Sequence, residues 1–193
     1  GQLIKKLDSL IDLQQRKLKQ LKIMQKYFFE KTLPFQGKLP VLRFTKLPYT
    51  TYRFSELYRK STSKNDGIIP KNRVISVANM RWGNIPKNSS ISYMKSYFVF
   101  NKGDIAYEGN RSKKYSFGRF VENDLGMGIV SHVFNVFKPL VSLDHNYMKT
   151  YINSEQVMRE HLRMSTSRTT MMNNLVPKDL AKQKLLLPPL KEQ

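Results

Sequence analysis

Residues 3–31 read LIKKLDSLIDLQQRKLKQLKIMQKYFFEK and decide the architecture of the chain. One set of side chains recurs at alternating spacings of three and four residues, which is the a/d spacing of a coiled-coil seam. The stretch contains no Gly or Pro, so it predicts one uninterrupted helix, roughly 40 Å long at 1.5 Å per residue. We expect this seam to bind a partner; it consists of Ile4, Leu7, Ile11, Gln14, Leu18, Leu21, Gln25 and Phe28.

The alternative is an ordinary amphipathic helix that lies along its own domain. Four heptads exceed what a domain of this size needs to cover itself, so the sequence favours the partner-binding helix. The two glutamines of the seam suggest control of register rather than maximal stability. Pro34 ends the helix, because proline disfavours helical geometry in the residue before it.

The sequence predicts an α+β chain with three parts: the long helix at 1–33, a strand-rich globular domain at 34–187, and the start of another helix at 188–193. Short apolar runs between turn residues predict the strands of the domain. We expect strands at 73–80 (entering a turn at 81–84), 96–101, 104–107, 128–137 and 185–187, and a helix at 146–165.

The net charge is +20, from 34 Lys and Arg against 14 Asp and Glu. Residues 33–187 hold 25 basic and 10 acidic side chains, a net of +15, and residues 1–32 hold 8 and 3, a net of +5. Such a field attracts polyanions. Nucleic acid is the leading partner, an anionic membrane surface is second, and a generic basic scaffold of the ribosomal kind is the third reading.

Cysteine is absent, which excludes disulfides, cysteine-based zinc sites and thiol catalysis. No run of about 18 apolar residues predicts a transmembrane helix, and we expect no membrane partner. Gly1 starts within a helical pattern, which we interpret as a cut end.

The segment at 109–119, GNRSKKYSFGR, holds four cations, an asparagine and two aromatic residues between glycines. Arg and Asn can pair with guanine and adenine edges, whereas Lys is a mobile point charge suited to phosphates. We therefore predict that Asn110 and Arg111 help to read bases, and that Lys113 and Lys114 hold phosphates. Tyr115 and Arg119 complete this candidate DNA-binding segment, for which a solvated basic hairpin tip is the alternative.

Two further segments are candidates for DNA contact. Asn79, Arg81 and Trp82 lie at a predicted strand end, where the tryptophan could equally be a core anchor. Ser165, Ser167 and Arg168 follow the predicted helix, and hydroxyls beside an arginine suit a phosphate clamp. An ordinary polar loop is the alternative for this last group.

Catalysis is not expected. Asp104, Glu108 and Lys113 superficially resemble a nuclease cluster, but the usual lysine two residues after the glutamate is Asn110 here. The three histidines show no metal-ligand spacing, so no metal site is predicted; they are His132, His145 and His161. Neither a Gly-rich phosphate loop nor a methyltransferase cofactor motif occurs.

Four segments, in this order, resemble the specificity subunit of type I restriction-modification enzymes. Residues 9–34, SLIDLQQRKLKQLKIMQKYFFEKTLP, resemble its spacer helix, and residues 74–85, VISVANMRWGNI, resemble a strand and turn early in its target recognition domain. Residues 101–105, NKGDI, are similar to a recurring Gly-Asp strand start. Residues 185–193, LLLPPLKEQ, resemble the Pro-Pro-Leu-x-Glu-Gln opening of the next spacer helix.

The resemblance implies a non-catalytic subunit that recognises a specific double-stranded DNA sequence in a bacterial or archaeal cytoplasm. The implied partners are a methyltransferase (modification) subunit and a restriction subunit, which would carry the S-adenosylmethionine and ATP; no cofactor is expected in this chain. The ends match one repeat of a two-repeat subunit. We therefore expect one target recognition domain, reading half of a bipartite site, and a second half or a second copy bound through the helix.

Two alternatives remain. A basic RNA- or ribosome-associated module would use the helix for assembly and bind single strands or A-form RNA by stacking and shape. A scaffold would present its basic surface to an acidic protein.

Overall fold

The computed structural model describes residues 1–85 and 90–193, and the chain is of mixed α+β class, with 34% of residues in helices and 23% in strands. The long helix, α1, is continuous from Gln2 to Thr32. Leu33 then adopts an extended conformation, as expected before Pro34. The prediction of one uninterrupted helix is confirmed.

The apolar seam of α1 is open to solvent. Its six apolar members are between 50% and 61% exposed, and α1 has no buried residue. The helix joins the domain at its last turns, where Gln156 Nε2 donates to Glu30 O at 3.1 Å and the next residue of the core is Leu33. The alternative of a helix lying along its own domain is therefore wrong, because only the last seam residues, Gln25 and Phe28, lie beside the domain and the rest of the seam is exposed.

Among the residues described, the domain contains twelve strands, five α-helices and one 3-10 helix at Lys71–Arg73. In chain order the strands and α-helices are β1 (Thr50–Arg53), α2 (Phe54–Leu57), β2 (Tyr58–Lys60), β3 (Ile75–Ser76), β4 (Arg81–Trp82), α3 (Ile91–Met94), β5 (Phe98–Phe100), β6 (Ile105–Glu108), β7 (Arg119–Glu122), β8 (Gly128–Val130), β9 (Asn135–Pro139), α4 (His145–Asn153), α5 (Glu155–Arg163), β10 (Thr166–Arg168), β11 (Asn173–Leu175), α6 (Pro177–Leu180) and β12 (Lys184–Leu187).

The central sheet is antiparallel, in the order β2-β9-β6-β7. Four two-stranded pairs surround it: β1-β12, β3-β4, β5-β8 and β10-β11. The β1-β12 pair places Thr50 opposite Leu187, so the beginning and the end of the domain lie side by side.

The core fills both faces of the central sheet. On one face, rings of Phe54, Phe120 and Phe137 lie 5.3 to 5.8 Å apart and are covered by α4 and α5. On the other face lies a smaller cluster that includes Ala106. Successive side chains of a strand point to opposite faces. This alternation explains why every residue of β6 is buried: Ile105 and Tyr107 join the first cluster while Ala106 joins the second.

The strands predicted at 96–101, 104–107 and 185–187 correspond to β5, β6 and β12, but three other predictions need correction. The segment at 73–80 is not one strand, because the chain turns at 77–80 and Arg81 pairs back with Ser76. Met80 takes a left-handed φ of +42° in this turn. The predicted turn at 81–84 therefore begins with strand β4.

The segment at 128–137 forms two strands, because a turn at 131–134 separates β8 from β9. The helix predicted at 146–165 is two helices that meet at Ser154. Ser154 is extended, with φ −73° and ψ 118°, and its hydroxyl accepts a hydrogen bond from Val157 N. Serine is a preferred N-cap residue, which explains the break.

The predicted helix start at the C-terminus forms a single turn, since Glu192 N and Gln193 N both donate to Pro189 O. Across residues 1–85 and 90–193, no helix combines the length and the apolar character needed to cross a membrane.

Two carboxyl groups are buried at the end of the central sheet away from the loop at 109–118. Asp104 accepts a hydrogen bond from Asn101 N at 2.8 Å, and burial raises its pKa to about 6. Glu122 is 2% exposed and lies 3.1 Å from His145 Nδ1. Burial raises the pKa of Glu122 to about 8, against a smaller lowering by Lys149. Burial therefore makes both groups hold a proton to a higher pH than an exposed carboxyl does.

We predict that Glu122 lowers folding stability as pH rises from 5 to 8, and that Glu122→Gln removes this contribution. A carboxyl whose folded pKa exceeds its ordinary value of 4.5 contributes stability in full below that value, and loses it as pH rises through about 8. Urea unfolding at pH 5 and pH 8 measures the effect. His145 keeps a hydrogen-bond partner in the amide of Glu122→Gln. Glu160→Gln, at an exposed carboxyl, is the control. Equal pH dependence in the wild type and Glu122→Gln would contradict the prediction.

We predict that the seam of α1 drives association. Replacing Ile11 and Leu18 with Asp should abolish any dimer, because both are seam positions and a charge there cannot be desolvated. Replacing Leu13 and Ile23 with Asp is the matched control, since these residues are equally exposed but lie outside the seam. Sedimentation velocity of the three chains gives the comparison. A wild-type chain that stays monomeric alone and with a partner subunit would refute the prediction.

Candidate nucleic-acid interface

The three candidate DNA-contact segments lie next to one another. Each belongs to a connection between antiparallel strands: the turn at 77–80 joins β3 to β4, the loop at 109–118 joins β6 to β7, and the turn at 169–172 joins β10 to β11. Hydrogen bonds connect the loop at 109–118 to the β10-β11 hairpin, and Arg119, the first residue of β7, to the turn at 77–80. We call these three connections and their flanking strand residues the basic interface.

The loop at 109–118 is bonded to the β10-β11 hairpin along its length. Arg111 Nη2 donates to Thr170 O at 2.9 Å, and Asn173 N donates to Gly109 O at 2.9 Å. The side chain of Asn173 also donates to Ser116 O at 3.0 Å. Gly109 permits this approach, because a Cβ at that position would lie 2.1 Å from Asn173 O. Loop and hairpin thus form one unit.

Arg119 connects the same loop to the turn at 77–80. Its Nε donates to Glu108 Oε2 at 2.7 Å, and its Nη2 donates to Ala78 O at 2.7 Å. Glu108 and Arg119 are direct cross-strand partners in the β6-β7 register. The guanidinium also lies 5.1 Å from the centre of the Tyr115 ring. Arg119 therefore links two segments of the interface through its hydrogen bonds and its contact with Tyr115.

Nine of the twelve predicted DNA-binding residues are exposed: Asn79, Arg81, Trp82, Asn110, Arg111, Lys113, Lys114, Ser167 and Arg168. Trp82 is 37% exposed and belongs to none of the three core clusters, so the core-anchor alternative is wrong for it. The guanidinium of Arg73 lies 4.4 Å from the centre of its ring. Arg73 thereby joins the cations of this surface, although the sequence did not single it out.

Three predicted residues are buried or partly buried instead of facing solvent. Ser165 is 0% exposed, so its hydroxyl is out of reach of a phosphate and the predicted clamp loses this member. Tyr115 is buried, and its hydroxyl donates to Asn153 Oδ1 at 2.7 Å. The ring of Tyr115 supports Lys114, whose Nζ lies 4.8 Å from its centre. Arg119 is committed to its internal hydrogen bonds.

A cleft of about 580 Å³ separates the interface from the end of α1. Lys22 and Lys26 of the helix face Lys114 and Arg119 across it. Glu30 and Glu155 line the same cleft, so its walls carry both signs of charge. The helix lysines thus lie near the basic interface, a neighbourhood that the sequence did not indicate.

The two carboxylates that superficially resemble part of a nuclease cluster, Asp104 and Glu108, do not lie together. Asp104 precedes β6 and Glu108 ends it, so the two carboxylates are separated by roughly 13 Å of strand. Glu108 is occupied by Arg119. Within the described part of the chain, no three His, Cys, Asp or Glu side chains group as metal ligands.

Among the described residues, each histidine instead has one side-chain hydrogen-bond partner. His132 Nδ1 lies 3.2 Å from Ser96 Oγ, and His145 contacts Glu122. His161 Nδ1 lies 3.2 Å from Gln183 Oε1, and burial lowers its pKa.

No protein-family model and no curated protein sequence matches this chain.

The sequence did not reveal two exposed residues of the interface, Met171 and Asn174, because β10 and β11 were not predicted. The sequence signal for these two strands was weak. In β11, burial alternates along Asn173, Asn174 and Leu175, but three residues are too few to establish a period of two.

We predict that Gly109→Ala destabilises the chain by about 1–3 kcal/mol, since the new Cβ would press against the backbone of Asn173. Exchange of the Asn173 amide hydrogen should accelerate, because its acceptor is Gly109 O. Gly83→Ala is the control, as a Cβ there meets its neighbours at 3.5 Å or more. Hydrogen exchange and urea unfolding test both points. Unchanged protection of Asn173 would show that loop and hairpin are not joined in this way.

Proposed function

We propose that this chain is the sequence-specific DNA-recognition subunit, or half-subunit, of a type I restriction-modification complex. It binds double-stranded DNA through the basic interface and positions methyltransferase and restriction subunits through α1. One observation carries this proposal: three polar, basic segments separated by up to 90 residues in sequence are hydrogen-bonded into one surface.

The charges of this surface support a polyanionic ligand. Among the described residues, Arg81, Lys113, Lys114 and Arg168 form no ion pair within 4.0 Å. Cations that lack internal partners are available to phosphates, and each phosphate they neutralise releases condensed counterions. The acidic residue of the interface, Glu108, is already paired with Arg119 and does not offset them.

The chemistry of the exposed side chains supports recognition of base edges in addition to phosphate binding. Asn79, Asn110 and Arg111 carry planar groups that can form paired hydrogen bonds in the major groove. Arg111 uses Nη2 on the hairpin carbonyls, which fixes the guanidinium in place and leaves its other nitrogen atoms for a ligand. A side chain held before binding loses less conformational entropy when it meets a base.

The exposed seam of α1 supports the spacer role. A helix of 31 residues that is anchored at one end can hold a second recognition half at a fixed distance. Half-site spacing is a geometric property of such an assembly. S-adenosylmethionine and ATP belong, in this proposal, to the methyltransferase and restriction subunits.

We predict salt-sensitive binding of duplex DNA by the chain. Each neutralised phosphate should contribute roughly −0.9 to the slope of log affinity against log salt. Fluorescence anisotropy from about 50 to 200 mM salt measures this slope, with a duplex RNA of the same sequence as competitor. An affinity that does not change with salt would exclude the proposal. Preferential binding of RNA would favour the RNA-associated module instead.

We predict different outcomes for the two kinds of interface cation. Lys114→Ala should weaken binding to all sequences about equally and lower the salt slope by about one. Arg111→Ala should cost about 1–3 kcal/mol and relax the preference at one base pair. Lys60→Ala is the control, because Lys60 is exposed on β2, at the opposite edge of the central sheet from β7. A consensus that changes with Lys114→Ala and not with Arg111→Ala would reverse these roles.

A further inference from the structure

We propose that the β10-β11 hairpin is the element that enters the major groove, where Asn174 reads an adenine and Met171 packs against a thymine methyl group. This inference rests on the proposed DNA-binding function. The sequence pointed to Ser165, Ser167 and Arg168 of this region as phosphate contacts, and the inference adds the hairpin as the element that enters the groove and two residues, Met171 and Asn174, as its base contacts.

The register of the hairpin decides which of its side chains face outward. Asn173 is buried, and its backbone and side chain bond to Gly109 and Ser116. Because successive side chains of a strand point to opposite faces, Asn174 points away from the domain. Its cross-strand partner is Ser167, and both residues are exposed. The outer face of the ribbon is thus polar and open.

The tip of the hairpin is fixed by its own hydrogen bonds. Thr169 N donates to Met172 O at 3.0 Å, and Met172 N donates to Thr169 Oγ1 at 3.2 Å. Arg111 Nη2 reaches Thr169 O at 3.4 Å and Thr170 O at 2.9 Å from the neighbouring loop. The tip is therefore shaped before a ligand arrives, and binding does not have to order it.

Met171 projects from this fixed tip and is 83% exposed. A long apolar side chain held in water on a basic surface gains free energy when a ligand covers it. DNA offers an apolar group at one place on its base edges, the C5-methyl of thymine in the major groove. The thioether side chain is flexible and adapts to such a contact.

The width of the ribbon selects the groove. A two-stranded β-ribbon fits the major groove, about 12 Å wide, and not the minor groove, about 6 Å wide. A carboxamide can bond to adenine N6 and N7 together only from the major groove. Arg168 on β10 and Lys113 on the neighbouring loop flank the ribbon and can contact the phosphate backbone beside it.

The test starts from a duplex selected by the wild-type chain out of a random pool. The bases of this duplex are then replaced one at a time. Uracil in place of a thymine removes only the methyl group, and 7-deazaadenine in place of an adenine removes only the N7 acceptor. At one thymine, uracil should weaken wild-type binding about fourfold, the value of one methylene-sized apolar group. Met171→Ala should bind the thymine and uracil duplexes equally.

The second arm tests Asn174. At one adenine, 7-deazaadenine should weaken wild-type binding, whereas Asn174→Ala should bind both duplexes equally and lose about 5- to 150-fold in affinity for the selected site. Met127→Ala and Asn146→Ala are the controls, because both residues are exposed and lie outside the basic interface. These controls should keep the wild-type response to every base replacement.

The outcomes separate this inference from the proposed function. If the wild-type chain selects no duplex and shows no salt-sensitive binding, the proposed function fails and the hairpin inference with it. If it selects a duplex, but the Met171 and Asn174 variants respond to the base replacements as the wild type does, the hairpin inference alone is overturned. Both variants change exposed side chains, and circular dichroism checks that they fold.

Discussion

The basic interface depends on one guanidinium, that of Arg119. Glu108 is buried, and a buried carboxylate is stable only with a charged or hydrogen-bonding partner. Arg119 supplies that partner across the β6-β7 pair and, with its other nitrogen, holds the carbonyl of Ala78. The loop at 109–118 and the turn at 77–80 thereby take fixed positions relative to the central sheet. Arg119 thus fixes the segments that carry the other cations of the interface, whose side chains are exposed.

Sequence reasoning succeeded where structure is determined by long local patterns. The helix of residues 2–32 follows from a period sustained over four heptads, and β12 follows from an apolar run bounded by proline. It failed for several of the strands of two or three residues, namely β3, β4, β10 and β11, because so few positions rarely establish a period. These strands exist through their pairing partners, which is tertiary information. The break at Ser154 was missed, although residues 153–156 are all polar and serine is a preferred N-cap residue.

The candidate site shows the same limit at the level of single residues. The concentration of cations between glycines was visible in the sequence, and the structure brings those segments together. The sequence did not show the roles of these cations. Arg111 and Arg119 have the same chemistry, yet Arg111 is exposed and Arg119 is hydrogen-bonded within the domain. Ser165 and Ser167 are two residues apart, but Ser165 precedes β10 as part of the turn that leaves α5 and is buried, while Ser167 faces outward from the ribbon. Local chemistry identifies what a side chain can bind, and only packing decides whether it is accessible.

The topology also bears on how the helix and the interface could work together. Because β1 pairs with β12, the segment that leaves α1 and the segment that follows β12 run beside each other. Glu192 bonds to Thr45 and to the hydroxyl of Tyr49, whose pKa is raised to about 12 by burial and by that carboxylate. Any element attached after β12 therefore starts near the base of α1. An element that continued as a helix along α1 would cover its exposed seam, and the two helices together would resist bending more than α1 alone. Under the proposed function, that arrangement would convert the separation between two recognition halves into a fixed distance along the DNA.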